Sequence, residues 1–483
     1  MSSVPVKPTL ASPPSAPSAA LTRVALECSL SPAQVLRLLA EREPLPFALS
    51  GKWAGGGAIV GADPLRVAAD TEDPFTVLDA LPTLDAGSPV DPGAAPGAGH
   101  PGAPAPPGFV GGGWFGWLGY RLAARVERIP LHPLRPVALP EFHLAYYDNV
   151  LRQTPDGRWW FEALVTAARR DALERRCREL GGLLRRPAPA PGPVHVSPLH
   201  ISGGDAAHHL DAVAQCRRRI AAGEIFQANL CLRLRGETDA RATDLFAAAL
   251  TRLDPPYAAA FATPRGGIAS LSPELFLRRR GRHIVTGPIK GTIARDADPA
   301  IAAAALGALR GSVKDAAEHV MIVDLMRNDL GRVCEYGSVV APRRPTAEPH
   351  PGLWHLVSHV HGRLRPDVSD ADVLRATFPP GSVTGAPKVQ SLRVIAESEQ
   401  AGREVYTGAV GFASPVAGLE LNVAIRTLEL ARGQVWLGAG GGIVADSDPR
   451  TELEEALTKA RPIAAAVGTS AGVERAAPVT RAA

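Results

Sequence analysis

The stretches ANLCLRLR (228–235), YAAAFAT (257–263), GIASLS (267–272), LFLRR (275–279) and HIVTG (283–287) read as strands in quick succession. A helix precedes them over about 205–222. Asp205 is its expected cap, Leu210, Val213, Cys216 and Ile220 form its apolar stripe, and Gly223 stops it. A long helix follows over about 312–330. Beyond it come a helix opening at Gly385-Ala386-Pro387, strands near 408–414, 419–428 and 434–439, and a last helix from about 449. Neighbouring strands interleaved with long helices indicate a mixed α+β sheet protein, not a regular doubly wound one.

The earlier part of the chain is thinner in signal. SPAQVLRLLAER opens a helix with Ser31 as N-cap, and AIVGADP and FHLAYYDNV are strand-like. GGGWFGWLGY (111–120) mixes glycine with aromatics, as a strand pressed against another backbone does. Pro-, Ala- and Gly-rich composition marks residues 1–20 and 467–483 as unstructured tails, 85–108 as a flexible insertion and 185–196 as a linker. The expected organisation is an N-terminal region over 21–184 and a catalytic domain over 197–466.

The chain has 483 residues and a net charge of only +4. Arginines are scattered among acids, which speaks against a dedicated nucleic-acid surface, although the calculated pI is 8.9. No apolar run reaches membrane-spanning length and no signal peptide opens the chain. Five widely spaced cysteines without a CxxC pair read as reduced thiols of a cytoplasmic protein.

Of 52 basic residues only six are lysine: Lys7, Lys52, Lys290, Lys314, Lys388 and Lys459. Arginine does not lose its proton in a protein, whereas a desolvated lysine becomes a neutral nucleophile. Lys290 sits in Thr286-Gly287-Pro288-Ile289-Lys290-Gly291-Thr292, an apolar, glycine-flanked setting that favours chemistry over chance retention. Glu318 shares a helix face with Met321, Ile322 and Leu325. A carboxylate on such a stripe needs a partner, or else sits at its edge and reaches solvent. Glu452, Glu455 and Lys459 fall in one band of the final helix, where an ordinary i,i+4 surface pair is the simplest reading. Together with Glu318 they offer carboxylates from two helices, which suits Mg2+. His355, His359 and His361 share one face of a strand-like stretch, but no cysteine or carboxylate in register completes a zinc site. Arg426 lies in the alternating strand LNVAIRTLEL, where it either binds an anion or faces water. Gly438-Ala439-Gly440-Gly441-Gly442 is no dinucleotide fingerprint, because Ile443 follows it.

Taken in order, GEIFQANL, SPELF, PIKGT, AEHVMIVDLMRNDLGRV, HLVS, FPPGSVTGAPK, IRT, GAGGGIVADSDP and EEALTKA resemble the chorismate-utilising enzymes. The likeness covers nearly all of 205–465. It is weaker in the first half, through PFALSG, GADP and GWLGY. It implies a composite fold of large antiparallel sheets packed face to face with helices outside. Within the family, anthranilate synthases resemble PIAGT, while the large subunit of aminodeoxychorismate synthase resembles PIKGT. The resemblance therefore implies Mg2+-dependent replacement of the chorismate C4 hydroxyl by ammonia, on the route to 4-aminobenzoate. The nearest alternative is component I of anthranilate synthase.

The roles the resemblance implies are these. Lys290 is the nucleophile and Glu274 the general acid. Glu318 and Glu455 hold Mg2+, with Glu452 supporting its waters. Arg426, Lys459 and the amides near Gly441 and Gly442 clamp carboxylates, while Thr292, His355 and Tyr406 line the pocket. Ser50 matches, thinly, a serine of the family's N-terminal tryptophan pocket. None of the cysteines lies in a GxCxG-like amidotransferase motif, so a separate glutamine amidotransferase subunit is expected to supply ammonia.

Overall fold

The computed structural model describes residues 18–85, 108–130, 134, 138–188, 190, 192–294, 298–311, 313–350 and 353–474. The expected tails and insertion fall largely outside these residues. Their described edges are ordered: a strand spans Ser18–Leu26, and a short strand Ala471–Val473 pairs with Leu199–Ile201.

Among the described residues the strands form a fourteen-stranded, an eight-stranded and a three-stranded sheet. Both large sheets mix early and late sequence. In the first, Phe47–Gly51 pairs with Tyr257–Thr263, Leu49 opposite Ala259. In the second, Gly113–Leu118 lies between Phe142–Tyr147 and Ala409–Ser414. The glycine-aromatic stretch is the close-packed strand its composition suggests. A Cβ on Gly116 would lie 1.7 Å from the carbonyl oxygen of His143.

The inner faces of the two large sheets bury one core. Phe47, Leu49, Ile59 and Phe261 of the first meet Phe115, Trp117, Val410 and Phe412 of the second. Phe47 stacks on Phe115 with centroids 4.4 Å apart. Helices cover the outer faces. Pro32–Ala40, Arg170–Leu184, Ala242–Leu250 and Pro449–Ala466 pack on the larger sheet. Pro74–Asp79, Val313–Gly331 and Asp370–Thr377 pack on the smaller. Apolar side chains on both faces of each sheet force this helix–sheet–sheet–helix layering.

Local signals mostly hold. Ser31 caps its helix through a capping box with Gln34. Gly223, at φ +78°, follows the helix Gly203–Ala221. That helix is capped by Ser202, not Asp205: Ser202 Oγ accepts the Asp205 N–H at 3.1 Å, which leaves Asp205 in the first turn. The expected strand 419–428 is in fact two strands, Gly418–Val423 in the eight-stranded sheet and Thr427–Ala431 in the fourteen-stranded one. The break comes where the chain crosses between sheets, and an unbroken alternating apolar pattern cannot signal such a step.

Candidate active site

The crossings between sheets build the site. Glu274 lies between Gly266–Ser272 of the fourteen-stranded sheet and Leu275–Arg280 of the eight-stranded one. Arg426 sits on the return crossing, antiparallel to the first, from Val423 to Thr427. The two crossings are tied together: the Val423 N–H donates to the Glu274 carbonyl and the Leu271 N–H to the Arg426 carbonyl, each at 3.0 Å. Arg426 is therefore not a residue of an alternating strand. It has φ +51°, a left-handed conformation that an arginine holds only where its surroundings impose it.

A third crossing carries Lys290. After His283–Gly287 of the eight-stranded sheet, the chain enters Ile289–Ala294 of the three-stranded sheet. Lys290 pairs with Leu356 and Thr292 with His355, and the register slips between them. Gly291, at φ +73°, is the extra residue of this bulge. The glycine after the lysine thus allows the kink that aims the preceding side chain.

These corners open on a cavity of about 570 Å3. Lys290, Glu274, Glu318, His355, Tyr406, Arg426, Gly442, Glu455 and Lys459 all line it, so most of the sequence-derived set converges. Gly441 lies beside them, where a Cβ would sit 3.1 Å from Glu452 Oε2 and 3.6 Å from Lys459 Nζ. Glu452 is buried behind the wall and accepts the Ser447 hydroxyl at 2.6 Å. The Thr292 side chain is outside the described residues. Two lining residues, Ser382 and Asn229, were not singled out in the sequence. Ser382 hydrogen-bonds the Glu274 carboxyl. From sequence its stretch Gly381-Ser382-Val383-Thr384-Gly385-Ala386-Pro387-Lys388 resembles a phosphate loop only loosely, because it lacks the GK[ST] ending.

The histidines separate. His355 belongs to Leu353–Val357 of the three-stranded sheet and is buried at the cavity. His361 belongs to Val360–Arg363 of the eight-stranded sheet and meets His283, Nδ1 to Nε2 at 3.3 Å. The expectation of one shared strand face fails at the crossing between them. Among the described residues no group of three or more His, Cys, Asp or Glu is arranged to hold a metal by itself.

Lysine usage resolves in the same way. Lys388 donates to Asp329 at 2.5 Å and to the Thr377 carbonyl at 2.7 Å, which is a structural clamp. Lys52 makes a surface pair with Glu348 at 3.2 Å. Lys459 bonds Glu455 at 2.8 Å and the Gly440 carbonyl at 2.9 Å, so the ordinary i,i+4 pair exists and also faces the cavity.

Burial sets the protonation of the cavity groups. It pushes the Glu274 carboxyl up to about 7, against the downward pull of Ser382, Lys290, the Ile289 N–H and Arg426. It pulls the Lys290 amine below the usual lysine range. Glu318 opposes this, Lys459 adds to it, and Glu274 and Glu455 oppose it. It brings Arg426 down to about 10, with Glu274 opposing. The arrangement offers a carboxylic acid able to give a proton near neutrality and an amine whose charged form burial disfavours.

A deep cavity at the corners of two packed sheets, lined by an amine, an acid and several cationic and acidic groups, defines an enzyme for a small anionic substrate. Residues 67–465 match the chorismate binding enzyme family, and the chain belongs to it. Aminodeoxychorismate synthase component 1 of Salmonella typhimurium is 35% identical over 348 residues, covering 72% of this chain and 75% of that protein. Anthranilate synthase component 1 of Streptomyces coelicolor is 36% identical over 463 residues, covering 92% of this chain and 87% of that protein. The solved anthranilate synthase component I of Streptococcus pneumoniae superposes with a TM-score of 0.68 at 26% identity, over 95% of this chain and 94% of that one. The menaquinone-specific isochorismate synthase of Escherichia coli shares the fold, with a TM-score of 0.70 at 19% identity over 94% of this chain and 95% of that one.

Proposed function

We propose that this chorismate-utilising enzyme aminates chorismate at C4 to give 4-amino-4-deoxychorismate and retains the enolpyruvyl group. The observation that carries this reading is Lys290. It is a buried amine, aimed by the Gly291 bulge into the same cavity as a carboxyl raised to about 7. Overall similarity does not separate amination from anthranilate synthesis, since relatives of both names are about equally close. The PIKGT lysine supports the first.

In the proposed reaction Glu274 gives its proton to the departing C4 hydroxyl as the Lys290 amine attacks C2. The C2–Nζ bond forms, the ring double bonds shift, the C4–O bond breaks and water leaves. Ammonia then attacks C4, the double bonds shift back, the C2–Nζ bond breaks to return the neutral amine, and the proton the new C4 ammonium sheds restores the Glu274 acid. Ser382 and Arg426 flank Glu274, and Arg426 and Lys459 are cations for the substrate carboxylates.

Mg2+ fits the donors present. Glu318 and Glu455 reach the cavity from two helices, and Mg2+ needs only one or two protein carboxylates beside water and an anionic ligand. Glu452, behind Gly441, would support its waters. When bound, the ion supplies positive charge against the ring carboxylate.

Glu274 gives a pH prediction. The protonated acid is the active form, so activity is present below its pKa and lost as pH rises through about 7. The falling limb should be measured at fixed free NH3, because total ammonium would mask it. Glu274→Gln should lose roughly 100-fold or more and abolish that limb. A variant within threefold of the parent would remove Glu274 from the reaction.

The nitrogen source gives another. All five cysteines are free thiols, and burial raises the pKa of each, the reverse of an activated amidotransferase nucleophile. The purified chain should turn over with ammonium salts and not with glutamine. Glutamine should serve only once an amidotransferase subunit is added. Glutamate release from glutamine by this chain alone would refute the two-component reading. Anthranilate and pyruvate as the products would establish the alternative, anthranilate synthase component I.

A further inference from the structure

Gln227 begins the strand Gln227–Glu237 and is buried. Its backbone pairs with Ala386, and its carbonyl accepts the Ser391 hydroxyl at 2.8 Å. Its side chain is not so engaged. Neither Nε2 nor Oε1 has a hydrogen-bond partner among the described residues. A buried amide in this condition is destabilising and calls for an explanation.

Its position supplies one. Gly442 lines the cavity, and a Cβ there would lie 1.8 Å from Gln227 Nε2 and 3.4 Å from Lys290 Nζ. The carboxamide fills the space a side chain at 442 would take, and the Lys290 amine stands beside the same point. Gly442 is thus a glycine that lets the two groups approach each other. Gln227 itself is not among the residues lining the cavity; Gly442, against which its carboxamide lies, is. The lysine already stands next to it on a flexible stem.

We propose that Gln227 is a positioning residue for Lys290. Its carbonyl oxygen, turned toward the amine by a flip of the carboxamide, accepts one N–H of the neutral amine and leaves the lone pair directed at the substrate. A neutral amide suits this task, because a carboxylate at the same place would hold the lysine protonated. The inference rests on the reading of Lys290 as the nucleophile.

The test compares Gln227→Met, Gln227→Glu, Lys290→Ala and the Gln227→Met/Lys290→Ala double variant in the full-length chain. Gln227→Met, similar in length and apolar, should lower kcat at least about tenfold with the KM for chorismate within about twofold. It should leave Tm unchanged or raised, because it removes an unpaired polar group. Gln227→Glu should be worse than Gln227→Met. In the Lys290→Ala background Gln227→Met should cost nothing further. A kcat within twofold of the parent would overturn the proposal, as would a parallel rise in KM, which marks a substrate contact. So would a drop in Tm that accounts for the lost activity, which marks a packing role. If Gln227→Met does not fold, Gln227→Glu with near-normal kcat overturns it equally. A Lys290→Ala enzyme that still aminates chorismate at C4 would fault the proposed function itself. An inactive Lys290→Ala beside an active Gln227→Met would fault only this inference.

Discussion

Lys290→Arg should lower turnover about a hundredfold or more while chorismate still binds. Arginine keeps the positive charge that an electrostatic contact needs, but it has no neutral amine to offer as a nucleophile. The prediction is sharp because the site already works against the charged lysine. Burial holds the amine below its usual range even with Glu318, Glu274 and Glu455 opposing. A permanent guanidinium there meets the same desolvation with no means of shedding its charge. Lys290→Ala should also lose amination, but it leaves space at C2 into which ammonia fits, so anthranilate-type products are expected from it. The direct measurement is mass spectrometry of enzyme quenched with chorismate in the absence of ammonia. A chorismate-derived adduct should map to the Lys290 peptide and be absent from Lys290→Ala. A fully active Lys290→Arg enzyme would reduce the lysine to an ionic contact.

The sequence made this lysine legible for two independent reasons: its scarcity among arginines and its place in PIKGT. What it did not show is how the residue is aimed. The Gly291 bulge depends on register against Leu353–Val357, and register is a pairing between distant segments. Arg426 and the histidines failed for a related reason. The run LNVAIRTLEL alternates well enough to be one strand, but its two halves belong to different sheets. LWHLVSHVHG likewise divides between the three-stranded and eight-stranded sheets, and the shared face of its histidines is lost. Periodicity reports which residues are apolar, not which sheet receives them.

The same limit explains Gln227 and Ser382. Gln227 belongs to the recognisable GEIFQANL, yet its sequence neighbours say nothing of Gly442 or Lys290. Only the pairing of Gln227–Glu237 with Gln434–Ile443 brings the amide to that glycine. Helix ends and turns, whose determinants are local, were read far better. Ser31 and Gly223 stand where their chemistry places them, and even the Asp205 error is a choice between adjacent capping residues settled by Ser202.

Glu318→Gln and Glu455→Gln should each abolish turnover, by about a hundredfold or more, with little change in stability. The stability half of the prediction follows from exposure. Glu455 is nearly half exposed, and its pair with Lys459 is an i,i+4 contact at 2.8 Å. Such pairs contribute only about 0.3–0.5 kcal/mol, so its loss leaves the fold in place. Glu318 is partly exposed on Val313–Gly331, a helix anchored through Ile322, Met326 and Leu330 and through the Asp329–Lys388 clamp. The activity half follows from placement. Two acids brought from separate helices to one cavity, beside Arg426 and Lys459, add little to substrate binding by themselves, because the substrate is an anion. A divalent cation held by these acids would reverse that repulsion, which would give the carboxylates a function the fold does not require of them. The measurement is Mg2+ binding by calorimetry in the presence of chorismate without ammonia, alongside turnover at limiting Mg2+. Each variant should lose both the binding isotherm and the activity at unchanged Tm. Near-normal turnover by either variant at limiting Mg2+ would move the metal elsewhere.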